Sequence, residues 1–435
     1  MSTVPLVRNL VLALVTAATV SAGATGPTVI HVDDDALAGG DGRGRSPYNN
    51  LPEAVAAARA TSGIKTIKVA PGVYRVDSTL QLDRSMELRG ATVLTLDDFG
   101  LPTGAVVGGT ETRVLGSSLL GASPLIIGGA ANGTVIHNVK IRGFVFELPP
   151  NGWGISMRRV QDFTIDGNVV KGPSFFGMEG LASSGRITSN HLSGGGTGVA
   201  IGGGFPTSPA VVRVTGNRIV NNRLGAVLVN GVPTGLPELG DLIHAVISDN
   251  DLSDNTNGAA ANGFGVRLFV LRRDLGTLGE EQASANVSAQ IRNNRIAGND
   301  IGVTIDAGFP YRQATPAGGS AAVCDSRVYS GTIEVDLRDN YLAGNRFMPG
   351  LVTFTRQNST LVPAQRPQWQ YLHDSTFTIA DRQGVLAGAR VDHPAQDPFT
   401  GVCPNDAVRE LLDNVLIYNG ALLAEGTQTI PPSYK

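Results

Sequence analysis

His191, Arg218, Asp251, Arg295 and Tyr341 each follow an asparagine by one residue. If those asparagines mark equivalent points of successive coils, the residues after them form one outward column: Val169, His191, Arg218, Asp251, Arg295 and Tyr341. A neighbouring column, two residues before each asparagine, reads Asp166, Thr188, Thr215, Ser248, Arg292 and Arg338. Guanidinium groups clamp carboxylates, or act as bases when their charge is disfavoured; imidazole and carboxyl groups carry protons. The strip therefore offers Arg218, Asp251, Arg295 and His191 as catalytic candidates, with Arg292, Arg338 and Tyr341 beside them as contacts for an anionic sugar chain. A plainer reading stands next to this one, since outward positions on a solenoid are polar anyway and mixed-charge ladders are ordinary solvated faces.

Other residues extend the candidate surface. Asp249, Asp251 and Asp254 are the place where calcium would bind, although acidic turns commonly do no more than solvate; no metal ligand is assigned, and no other cofactor is expected. Arg267, Arg272, Arg273, Asp274, Glu280 and Glu281 lie on or near one long insertion, while Phe205, Phe309, Tyr311, Trp369 and Tyr371 lie in or near others. Arg267, Phe309 and Tyr311 are taken as binding candidates, because rings stack on the apolar faces of pyranosides and charges meet hydroxyls and carboxylates. Trp153 and the Phe175-Phe176 pair are assigned to the core or to stacking between rungs.

The element that positions these residues is a repeat. Its unit is an apolar residue, two residues, Asn, one residue and a second apolar residue: Ile165-Asn168-Val170, Ile187-Asn190-Leu192, Val214-Asn217-Ile219, Ile247-Asn250-Leu252, Ile291-Asn294-Ile296 and Leu337-Asn340-Leu342. Leu411-Asn414-Leu416 reads as a seventh copy, Phe377 to Arg382 as a degraded one, and Val139 to Phe146 as an upstream copy with Phe144 in the asparagine slot. Most units lead to a second strand signal, as in Gly198-Val199-Ala200-Ile201, Gly225-Ala226-Val227-Leu228, Gly265-Val266-Arg267-Leu268 and Gly302-Val303-Thr304-Ile305. Alternation at period two, repeated in one order, predicts strands stacked rung on rung at about 4.8 Å, with asparagines hydrogen-bonded along a bend. The distances between successive asparagines, 22, 27, 33, 44 and 46 residues, grow after the second strand of each unit. Insertions are thus expected at residues 204–210, 231–242, 270–288 and 308–330, emerging together as a wall beside the strip.

Size and charge narrow the class. The 34 basic and 37 acidic residues nearly cancel, and no basic block stands out, so nucleic acid is not an expected partner. Residues 1–24 have the order of a secretory signal peptide, with Arg8, an apolar run from Leu10 to Val20, and small residues to Ala24, so the protein is expected to be secreted or periplasmic, without membrane insertion. The remaining 25–435 reads as one elongated domain: an N-terminal cap at 25–75, rungs at 135–390 and a C-terminal segment at 391–435. A monomer is expected. Cys324 and Cys403 pair most simply as a disulfide, the alternative being two buried thiols.

At the N-terminus the chain reads Val29 to Asp35, Gly40-Asp41-Gly42, Ser46-Pro47, a helical stretch Leu51 to Ala60 with Asn50 as its N-cap, and Thr66 to Val69 before Ala70-Pro71-Gly72-Val73-Tyr74. With the repeats, this resembles the pectin-lyase-like proteins. The resemblance implies an all-β, right-handed parallel β-helix with a short N-terminal capping helix, and a polysaccharide or other glycan as partner. It does not choose among the activities hosted by that fold. The Gly-His-Gly and Arg-Ile-Lys elements of polygalacturonases are missing, so a lyase, which needs a cationic base and charge neutralisation, is preferred to a glycoside hydrolase. The alternative is a non-catalytic secreted or surface protein that binds a glycan or another partner.

Overall fold

The computed structural model describes residues 28–306 apart from 64, 173, 204–208, 231–241, 259–262 and 270–283, then 309–311, 330–338, 340–346 and short strands from Met348 to Ala424. Side chains are described through Thr304, apart from those gaps and from 269 and 284–286, and again over 340–346. Residues 1–27, Cys324, Cys403 and the Phe377 to Arg382 segment lie outside the described residues.

Three parallel sheets make up a β-helix. Each full coil passes through them in one order, as in Phe163–Asp166, Val169–Lys171 and Phe176–Leu181, and then Gly185–Thr188, His191–Ser193 and Thr197–Gly202. The first sheet starts at Val29–Val32 and its register runs without a slip through Ile67, Leu88, Ile141, Ile165, Ile187, Val214, Ile247 and Ile291. All eight of these are fully buried. Burying one such side chain per rung contributes roughly 1.5–3 kcal/mol each, which is why the repeat tolerates variable loops but not a variable core.

The corner between the first and second sheets explains the asparagines. Asn168, Asn190, Asn217, Asn250, Asn294 and Asn340 are all buried. Each Nδ2 donates to the next Oδ1, at 3.0, 3.0, 3.0, 2.9 and 2.9 Å in turn. The same oxygens also accept the main-chain N–H of the preceding asparagine. Residues just before the anchors, Gly167, Ser189, Gly216, Asp249 and Asn293, hold φ between 54° and 66°, a left-handed bend that β-branched residues resist. Phe144 sits in the asparagine slot of the preceding coil, where its N–H donates to Asn168 Oδ1.

A second ladder turns the corner into the third sheet. Asn222, Asn255, Asn299 and Asn345 are bonded Nδ2 to Oδ1 at 3.1, 3.0 and 3.1 Å. Each comes five residues after an anchor of the first ladder, and the residue before each has φ between 56° and 67°. Its signal in the sequence, an Asn preceded by Gly, Asn or Asp at a fixed offset, is as regular as that of the first ladder.

At the N-terminus, helix α1 spans Leu51–Ala60; Asn50 Oδ1 accepts the Glu53 N–H at 2.8 Å and Asn50 Nδ2 donates to Glu53 Oε2 at 2.8 Å. It buries Leu51, Ala54, Val55 and Ala58 against the first strands. Near the other end, Asp336-Leu337 pairs with Tyr418-Asn419 and Tyr341-Leu342 with Leu423-Ala424. Asn419 therefore takes the place expected for Leu411, while Val415–Leu416 runs antiparallel to Val385–Leu386. Leu411 and Asn414 lie outside the described residues; Leu416 pairs with Val385, and Ala424 takes the place beside Leu342 expected for it.

Insertions leave between the third and first sheets: third-sheet strands end at Gly202, Asn230, Phe269 and Asp306, and first-sheet strands resume at Ala210, Leu242, Ser284 and Ser330. The strip that follows the asparagines belongs to the second sheet. A wall built at that exit therefore starts beside the first and third faces, one corner away from where the sequence reading put it.

Candidate functional site

The second face carries the predicted strip in the predicted order. Val169, His191 and Arg218 are register neighbours, Arg218 bridges to Asp251, Asp251 to Arg295, and Arg295 pairs with Tyr341. Both arginines spend themselves on one carboxylate: Arg218 Nε lies 3.2 Å from Asp251 Oδ2, and Arg295 Nη1 lies 3.1 Å from Oδ1. Ser253 Oγ donates to Oδ1 at 2.5 Å and Asp251 is nearly buried. Asp251 is thus occupied on both oxygens. Asp249, Asp251 and Asp254 do not gather their oxygens within reach of one ion; among the described residues only Asp33, Asp34 and Asp35 do so.

A hairpin inserted earlier in the chain, Leu94–Leu96 and Pro102–Val106, lies over this strip. Asp97 at its turn accepts the N–H groups of Phe99 and Leu101, and its Oδ2 meets Arg218 Nη2 at 2.5 Å. Burial works to raise the Asp97 pKa, but those amides and Arg218 outweigh it and hold the group below the ordinary carboxylate range. His191 sits under the same hairpin: a Cβ at Gly104 would stand 2.8 Å from its Nε2, and Gly104 also has φ of 86°. Burial pushes the imidazole pKa down against the pull of the Pro102 carbonyl, Arg218 adds to the lowering, and Nδ1 has no hydrogen-bond partner among the described residues. The four catalytic candidates converge, then, but as a neutralised cluster: the hairpin covers His191 and grips Arg218, while Arg295 keeps 53% of its side chain exposed. Asp97 is the member the sequence reading lacked; it is 121 residues from Arg218, and nothing in the repeat points to it.

The binding candidates divide among the faces. Tyr341 stays on the second face beside Arg295, and Arg292 stands on the first face in the column of Thr215 and Ser248. Arg338 follows Arg292 in register, with its side chain outside the described residues. Phe309 and Tyr311 belong to a short strand paired with Arg356–Asn358, and their side chains are likewise not described. Arg267 is on the third face.

On that third face the outward column reads Gln81, Ile127, Ser156, Glu179, Ala200, Leu228, Arg267 and Thr304. Glu179 keeps only 13% of its side chain exposed although it points away from the core. Ser156 Oγ donates to its Oε2 at 2.5 Å, and Arg158 Nη2 is 3.8 Å away. Burial raises the Glu179 pKa above its ordinary value near 4.5 despite both neighbours. The Arg158 guanidinium in turn lies 6.0 Å from the ring centre of Trp153. Trp153, Phe175 and Phe176 form a cluster: Phe175 stacks on Trp153 at 6.0 Å, and Phe176 meets both rings edge-on at 5.2 and 4.7 Å. Phe175 is 45% exposed. Expected from sequence in the core or stacked between rungs, these rings do stack, but outside the core, with Phe175 exposed and a desolvated carboxyl nearby.

No family model matches the chain, and no curated protein matches it. Solved structures similar to it include a protein of Geobacillus virus E2 named ORF18, at 12% identity and a TM-score of 0.29, covering 80% of this chain and 66% of that one. DFA-IIIase from Arthrobacter chlorophenolicus A6 in complex with DFA-III is 13% identical, with a TM-score of 0.31 and coverage of 77% and 87%. The A-module of the Azotobacter vinelandii mannuronan C-5 epimerase AlgE6 is also 13% identical, with a TM-score of 0.31 and coverage of 72% and 95%. The β-helix assignment made above rests on this chain's own strand pairing.

Proposed function

We propose that the protein binds an acidic polysaccharide on its third face, with a sugar ring against Phe175 and Trp153 and the polar groups of the next ring meeting Glu179 and Arg158. The observation that carries this reading is the pairing of a partly exposed aromatic cluster with an outward carboxyl that has lost most of its water. Nothing in a β-helix core requires either feature. Rings beside a few convergent polar groups are what pyranosides need.

The column also favours one kind of cleavage over another. Hydrolysis of a glycosidic bond uses two carboxyl groups across the bond. Here one carboxyl, Glu179, shares its column with Arg267 and lies beside Arg158, a set suited to charge neutralisation and proton transfer as in a lyase. In this reading the coil is right-handed, the hand that parallel crossovers almost always take, and α1 closes its apolar end. Residues 1–24 direct export.

The test is incubation of the purified protein with polygalacturonate and alginate, following both retention and the ultraviolet absorbance of unsaturated products. Wild-type protein is expected to be retained, Trp153→Ala to be retained about tenfold more weakly, and Glu179→Gln to lose any product formation while still binding. Absence of both retention and product on either polymer would refute the proposal.

A further inference from the structure

Lys68, Arg89 and Arg142 are consecutive register neighbours on the outward side of the first sheet, with His31 preceding Lys68. Their main chains are therefore about 4.8 Å apart, one rung each. Like charges placed directly opposite destabilise a sheet, and three in succession are a standing cost to the fold. Only Arg142 is relieved, through Glu87. Among the described residues, Lys68 and Arg89 form no ion pair and no side-chain hydrogen bond.

These cations line an open cleft of about 620 Å³, bounded by the N-terminal loop around Gly44 and Pro47 and by Gly90 to Val93 where the chain leaves for the hairpin. Two carboxylates also line it, but both are engaged locally: Asp33 Oδ1 accepts the Asp35 N–H at 3.2 Å and Asp166 Oδ1 accepts Thr188 Oγ1–H at 2.7 Å. At the floor the backbone itself comes forward. A Cβ at Gly90 would stand 2.1 Å from the Gly143 oxygen, so this corner stays free of side chains.

We propose that this cleft is a second binding site, for an anionic polysaccharide whose carboxylate or sulfate groups meet Lys68 and Arg89 on adjacent rungs. A row of cations at fixed spacing matches a polymer with regularly placed anions, and the ligand charge removes the repulsion that the empty column carries. Among the described residues no Phe, Tyr or Trp lines the cleft, and the single His31 ring does not make the row of stacking surfaces that single-stranded nucleic acid uses. This site is separate from the third face and does not depend on the reading given to it.

The experiment is calorimetric titration of polygalacturonate, dextran sulfate, neutral dextran and an oligodeoxythymidylate into wild type, Trp153→Ala, Lys68→Ala/Arg89→Ala and the triple variant. Because Lys68 and Arg89 are unpaired, the double variant should melt at or above the wild-type temperature, which keeps the binding result interpretable. The double change is expected to weaken binding of at least one acidic polymer about tenfold near physiological salt, with or without Trp153, and neutral dextran should not compete. Binding by polygalacturonate alone, or by dextran sulfate alone, identifies the anion the cleft takes. Unchanged affinity for both acidic polymers in both backgrounds overturns the proposal, as does equal affinity for an oligodeoxythymidylate lost through the same two residues. If Trp153→Ala changes nothing while the double variant loses binding, the third-face reading fails and the cleft remains.

Discussion

The second and third faces belong to the same coils and are one corner apart, yet they treat charge in opposite ways. On the second face Asp251 is shared by Arg218 and Arg295, Arg218 is held from above by Asp97, and the hairpin covers His191 and Arg218. On the third face Glu179 is desolvated but has only a hydroxyl and one distant guanidinium, with exposed aromatic surface close by. The contrast shows why residue type is a poor guide to chemistry on a solenoid. Convergent charges that satisfy one another build structure, whereas a group left partly unsatisfied retains the capacity to act.

Substitutions can break this contrast. The largest effect is expected for Asp251→Ala, which removes the carboxylate that Arg218 and Arg295 share and leaves Arg218 to Asp97 alone; we expect a loss of about 2–3 kcal/mol in urea denaturation, with polygalacturonate retention unchanged. Trp153→Ala should do the reverse, weakening retention about tenfold, or ~1.4 kcal/mol, in the same titrations that show Asp251→Ala binding normally. If Asp251→Ala abolishes binding and Trp153→Ala does not, the roles of the two faces are exchanged. Asp97→Asn is expected to cost about 1 kcal/mol and to speed proteolysis within 94–106, since it weakens the grip on Arg218 while leaving the coil intact.

The smallest effects lie in the pH dependence, and their signs differ. Glu179 has a raised pKa, so the stability it contributes is present below about 4.5 and is lost as pH rises through its folded value. Melts of Glu179→Gln should therefore gain on wild type as pH increases across that window. His191 has a lowered pKa, so its contribution is present above about 6.5 and is lost as pH falls through its folded value. His191→Gln should narrow the difference between neutral and mildly acidic melting temperatures. The same sign for both variants would contradict the burial described for one of the two groups.

Much of the architecture was readable residue by residue. The Ile-x-x-Asn-x-Val unit predicted the first ladder, the columns on two faces and the exit point of the insertions, because stacking makes each position the neighbour of its own repeat. Asn222, Asn255, Asn299 and Asn345 were equally readable and went unread. Leu416 shows the limit, since a short match of residue types carries no information about pairing.

Which positions face inward, where the chain bends and which residues share a column were determined by the sequence alone, since these are local and periodic properties. Only the tertiary structure decided that a hairpin from residues 94–106 closes over His191 and Arg218, that Trp153 and Phe175 face outward, and that Glu179 loses its water. Those depend on contacts between segments with no common period, and solvent exclusion is a property of the assembled surface that no single stretch of chain encodes.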